Sequence, residues 1–166
     1  MQSDNSQTRS IRASAGPTIA QHIGRMLLGA FLVAAGVSHV TVNRTAFLAQ
    51  VPEWLPLPGD LVVVASGIVE IVLGLALLVL PRRRVPVGWL VAAFFVAIFP
   101  GNVSQFVTDT DSFGLNSPLS RGIRLLFQPL LIVWALWSTG AWTAWRARRH
   151  ATHRVAGERR GSDEAT

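Results

Sequence analysis

Six polar residues lie inside strongly apolar stretches of this 166-residue chain: His39, Glu70, Asn102, Gln105, Arg124 and Gln128. An imidazole and a carboxylate can hold or move a proton. A guanidinium is a permanent charge with a rigid fork of donors. The side-chain amides offer donors and acceptors together, enough to hold a carbonyl or hydroxyl group. Glu70 is the most exacting of the six, because it sits in "SGIVEIVLG", 66–74, with isoleucine, valine and leucine around it. A charge facing hydrocarbon costs roughly 2.5–3.5 kcal/mol even on a lenient scale. The less costly arrangement turns the six groups toward one another, with Glu70 and Arg124 neutralising each other and the amides and His39 filling the remaining hydrogen bonds.

Four apolar runs must position them: residues 23–42, 61–80, 87–107 and 122–143. Each is long enough, at about 1.5 Å per residue, to cross the roughly 30 Å of hydrocarbon in a bilayer. None alternates with period two, which argues against a barrel. Inside lipid each backbone N–H must be satisfied within its own segment, so the runs read as helices. Half of the residues are hydrophobic and only 14% are charged, less than an ordinary soluble domain carries. The mean hydropathy is +0.39. The expected fold is all-α, an integral membrane four-helix bundle over 18–145 with disordered polar termini at 1–17 and 146–166. The first run is too long for a signal-peptide core and carries His39 beyond its small residues, so no cleavage is expected there.

All 15 basic residues are arginine, and the net charge is +6. The arginines cluster at the ends of the apolar runs, a membrane-surface pattern rather than a nucleic-acid one. Twelve of the fifteen fall in the N-terminal part as far as Arg25, in the "PRRR" turn at 81–84, or in the tail; Arg44, Arg121 and Arg124 fall on the other side. With four spans, both termini and the arginine turn share a side. The positive-inside rule makes that side cytoplasmic, at the cell membrane. Residues 44–59, containing "RTAFLAQ" and "VPEWLPLPG", read as an interfacial segment that caps the bundle outside. His22 and Arg25 are expected to reach the inner headgroups. The tryptophans of 134–145 fit the inner aromatic belt.

Spacing assigns faces. In the first run Gly29, Gly36 and His39 fall at helical steps of seven and three, and small residues on such a face let a second helix approach closely. In the second run Ser66, Glu70 and Gly74 form a stripe at i, i+4 and i+8, with Gly67 beside it. Arg124 and Gln128 are one turn apart in the fourth run. Pro100 removes a backbone donor from the third and should kink or break it near "FPGN". From the topology, all six polar residues fall toward the outer half of the bundle. The chain lacks cysteine, which removes disulfide frameworks and thiolate centres. No metal-ligand spacing, nucleotide loop, Ser-His-Asp triad or nucleic-acid module is present.

"GVSHVT", "VPEWLP", "SGIVEIVLG", "FPGNVSQF" and "RGIRLLFQPLLIVWALW" resemble, in this order, the DoxX family of small four-helix membrane proteins. The resemblance runs from about residue 23 to 143. It implies that His39, Glu70, Asn102, Arg124 and Gln128 occupy the positions of the family's recurring polar residues. The family takes its name from a membrane subunit of a thiosulfate:quinone oxidoreductase, and fold alone does not carry that reaction over. Three classes of function follow. The first expectation is a structural, assembly or partner subunit whose buried polar groups fix helix register. Another is a redox-linked or quinone-binding subunit, accessory rather than the catalytic centre, since without cysteine any redox role needs a partner or a bound quinone. The last is a small transporter or proton pathway. The expected partners are the lipid bilayer and a membrane protein or second copy; nucleic acid is not among them.

Overall fold

The computed structural model describes residues 16–41, 44–48, 50–52, 54–108 and 118–149, with the side chains of 118–121 and 124 outside that description. Its elements are α1 (Ile19–Val40), α2 (Arg44–Leu48), α3 (Gly59–Val79), a 3-10 turn (Pro81–Arg83), α4 (Arg84–Val107) and α5 (Pro118–Ser138). A short α6 (Ala141–Arg149) follows at 69° to the Leu125–Ser138 part of α5. Among the described residues there is no strand.

The ends of these helices have local causes. Thr18 caps α1: its hydroxyl accepts from the Gln21 N–H at 3.2 Å while the Gln21 side chain accepts from the Thr18 N–H at 3.0 Å. The cap starts α1 four residues before the apolar run, because the polar first turn "IAQH" is invisible to hydropathy. Prolines 56 and 58 precede α3, and Pro81 follows it, where its ring cannot continue the helix. Of the kink or break expected at Pro100, the break is absent: α4 continues to Val107. Two expectations are corrected here. The 122–143 run is not one helix. Thr139 and Gly140 interrupt it, with Gly140 at φ 70°, a conformation that suits a residue without Cβ. The polar tail does not become irregular at 146, since α6 carries helix to Arg149. Residues 1–15 and 150–166, where terminal disorder was expected, lie outside the described residues.

Two antiparallel helix pairs form the molecule. α1 packs along α3, and α4 along α5. The first pair closes on glycines. A Cβ added at Gly36 would stand 2.5 Å from the Gly67 carbonyl oxygen, and one at Gly74 would stand 2.7 Å from the Gly29 oxygen. The contacts are reciprocal and spaced seven residues apart on each helix, so the two backbones touch along one seam. A core of Leu28, Leu32, Leu77, Val87, Val91, Phe95, Leu131 and Ala135 lies between the pairs. The outward faces stay apolar, with Leu27, Phe31, Val72, Leu75, Leu90, Val96, Leu126 and Val133 all exposed. Helices that are apolar all round do not suit water. Three of them, Ile19–Val40, Gly59–Val79 and Pro81–Val107, are long and apolar enough to cross a membrane; the bent pair α5–α6 makes a fourth if it counts as one span.

Arg25 departs from expectation. It does not reach outward but is 2% exposed. Its guanidinium donates to the Leu77 carbonyl in the last turn of α3, where the helix dipole favours a cation. Around it the Trp134 indole donates to the Gly24 carbonyl at 3.1 Å, and the Gln21 amide donates to the Trp137 carbonyl at 3.0 Å. These bonds join α1 to α5 at the end of the bundle that carries the arginine turn.

Candidate functional site

The seam sets the first half of the site. His39 follows Gly36 by three residues, and Glu70 follows Gly67 by three, so the two side chains leave the same close contact. His39 Nδ1 lies 2.9 Å from Glu70 Oε2 and 2.9 Å from the Ala35 carbonyl oxygen. Both neighbours are acceptors, so Nδ1 carries the hydrogen. Its hydrogen bond goes to Ala35. Glu70 Oε2 is buried and receives no well-directed donor among the described residues, close as the imidazole is. The pair is 8% and 5% exposed. Phe47 of α2 covers the imidazole face, with ring centroids 3.3 Å apart and an interplanar angle of 24°.

The second half comes from α4 and α5. Asn102 donates through its amide to Gln128 Oε1. Gln128 donates in turn to the Phe95 carbonyl at 2.7 Å. The Gln128 amide is therefore oriented, oxygen toward Asn102 and nitrogen toward the α4 backbone. Pro100 lies just beyond this point and has no N–H to offer the turn before it.

Both halves line one cavity of about 540 Å³. Ser66, His39, Glu70, Asn102, Gln50 and Gln128 supply its polar lining, and Phe31, Phe47, Trp54, Phe95 and Phe127 its rings. A mostly apolar hollow with a few converging polar groups is the usual form of a small-molecule site. The described residues between α1 and α3 line one wall: Phe47, Val51, Pro52, Trp54 and Leu55 all face the hollow. α2 is fastened to α3 by the exposed Arg44–Asp60 ion pair at 2.9 Å, a contact of small energetic weight. Among the described residues no three histidine, aspartate or glutamate side chains converge as metal ligands would.

Of the six residues singled out from the sequence, four meet here: His39, Glu70, Asn102 and Gln128. Gln105 is buried but does not line the cavity. Arg124 lies in α5 one turn before Gln128; its side chain, and with it the expected pairing to Glu70, lies outside the described residues. Of the packing residues, Gly29, Gly36, Gly67 and Gly74 form the seam, while Ser66 lines the cavity and donates to the Val63 carbonyl at 2.9 Å. Sequence reasoning missed the aromatic lining. The available signal was Phe47, the one ring in the amphipathic turn "RTAFLAQ", placed where a short helix must fold back over His39.

A family model described as Domain of unknown function (DUF8561) matches residues 28–139, which contain both halves of the site. No curated protein and no solved structure matches the chain.

Proposed function

We propose, from the premise that this chain belongs to the DUF8561 family, that it is a DoxX-like, four-span protein of the cell membrane whose cavity binds a quinone-type ring as an accessory subunit. The observation that carries this reading is Glu70 Oε2, a buried carboxylate oxygen without a well-directed donor on the wall of an apolar hollow. Burying such an oxygen is costly unless a donor reaches it. A quinol hydroxyl is such a donor, and the amide N–H groups of the Asn102–Gln128 pair suit a ring carbonyl on the other wall. Phe47 and Trp54 offer flat faces to the ring. A bound quinone would supply two-electron, two-proton chemistry, and a partner protein would supply the electrons, since the chain contains no cysteine. The stretches that resemble DoxX proteins also carry His39, Glu70, Asn102 and Gln128. The same contacts tie α1 to α3 and α4 to α5, which favours a structural role as a second reading.

Purified protein in mild detergent should bind a short-chain ubiquinone or menaquinone analogue saturably, read by quenching of tryptophan fluorescence. Gln128→Leu should weaken binding about tenfold, the equivalent of one hydrogen bond of roughly 1.4 kcal/mol. Ser66→Phe, which fills the hollow, should abolish it. Equal binding by both folded variants and the parent would remove the cavity as the site.

In this reading α5 makes the fourth crossing and turns at Gly140 into α6 on the cytoplasmic side, so both termini are cytoplasmic with the arginine turn. Reporter fusions at either terminus should be active only in the cytoplasm. Neutral replacements of Arg82, Arg83 and Arg84 should give mixed orientation of the α3–α4 hairpin. Exported termini in the parent protein would overturn the topology.

A further inference from the structure

The cavity does not account for α6. The chain turns at Thr139 and Gly140, and α6 leaves at 69° to the end of α5. If α5 runs near the bilayer normal, α6 lies closer to the bilayer plane than to the normal. Ala141 is fully buried and seats the start of the helix. Trp142, Arg146 and Arg149 follow at i, i+4 and i+7, one exposed stripe. Trp145 stands beside it, its ring 5.4 Å from that of Trp142 and 4.3 Å from the Arg149 guanidinium carbon. Thr139 packs on Gly88, which brings the start of α4 to this end of the bundle, and the exposed Arg82 and Arg83 of the 3-10 turn precede it directly. The described carboxylates, Asp60 and Glu70, are both on α3, on the α2 side of the seam contact at Gly74.

We propose that α6 is an interfacial anchor that binds the headgroups of anionic phospholipids, with Arg146 and Arg149 on the phosphate and Trp142 at the depth of the acyl carbonyls. The proposal rests on the membrane reading above. Indole rings favour that depth. Guanidinium groups clasp phosphate oxygens in pairs, and the Trp145 ring holds Arg149 ready to do so. The partner is a lipid surface rather than a free anion because the stripe pairs rings with cations along a helix lying across the end of the bundle. Each arginine near an anionic surface contributes about fivefold in affinity.

The test titrates detergent-purified full-length protein with dioleoyl phosphatidylglycerol or dioleoyl phosphatidylcholine and counts bound lipid by native mass spectrometry. The expected result is a preference for phosphatidylglycerol that falls about 25-fold in Arg146→Gln/Arg149→Gln and shrinks as salt rises. An undiminished preference in that variant would overturn the proposal. So would equal binding of the two lipids by the parent, or displacement of phosphatidylglycerol by millimolar inorganic phosphate. Carbonate washing of membranes separates the two readings. Loss of the parent protein from the pellet defeats the membrane reading itself. Retention without lipid preference defeats only the anchor.

Discussion

Gly36→Leu is expected to abolish the folded bundle. Even a Cβ at this position would stand 2.5 Å from the Gly67 carbonyl oxygen and 3.0 Å from the Ile71 nitrogen, and both are backbone atoms within a helix. They cannot rotate away as a side-chain tip can, so α1 and α3 must separate along the seam. Overpacking of a close contact costs about 1–3 kcal/mol when side chains can yield, and more when they cannot. Here the separation would also pull His39 from Glu70. Gly122→Ala is the control. Among the described residues its Cβ would meet Phe106 alone, at an ordinary 3.8 Å, and alanine is the better helix former by about 1 kcal/mol. Fluorescence-detected size exclusion should show a collapsed main peak for the first variant and an equal or more heat-resistant peak for the second. A monodisperse, heat-resistant Gly36→Leu protein would mean that the two backbones do not touch.

The second large effect concerns His39 and Glu70. His39→Leu should cost roughly 3–5 kcal/mol, because it leaves the buried carboxylate without the imidazole 2.9 Å away. His39→Leu/Glu70→Leu should recover most of that loss, since a buried pair replaced by packed apolar groups is often near neutral. Thermal midpoints of the parent, the two single variants and the double variant, measured in one detergent, provide the cycle. Additive losses would dissolve the pair. Recovery of the fold without recovery of ring-ligand binding would separate a chemical role for the carboxylate from its architectural one.

Different physical causes decided what could be read from the chain. The apolar runs were legible because length and composition alone mark candidate spans, and three of them stand as helices of membrane length. The glycine faces were legible too, since Gly29 and Gly36 on one helix and Gly67 and Gly74 on another announce a close approach wherever the two meet. Which helices meet was not legible. Helices apolar on every side carry little periodic signal about their neighbours. Glu70 could thus be recognised as needing a partner, while the nearness of His39 depended on α1 lying against α3. Gln105 shows the same limit: three residues beyond the half-buried Asn102 it is itself buried, yet it does not line the hollow. The interruption at Thr139 and Gly140 falls on "STG", a glycine behind two hydroxyl residues, a stop signal embedded in a run read as one apolar span, and the positive φ of Gly140 makes it a turn.

The hydrogen bonds of Trp134 and Gln21 have a mechanical consequence. They join the two helix pairs at the arginine end, while the cavity separates the pairs at the other. Each pair is stiff in itself, one zipped along its glycines and the other pinned by Gln128. The molecule is built like tweezers, with rigid arms, a fixed heel and, between α1 and α3 of one arm, a connecting segment whose Gln50 carbonyl comes close to Gly101 of the other arm. Widening the jaws parts that Gln50–Gly101 contact and leaves the weak Arg44–Asp60 clasp, which lies within the first arm, untouched. The gauge of what the jaws can grip is therefore set by a short surface segment, and lengthening or loosening it would change the accepted girth without altering any residue that touches the ring.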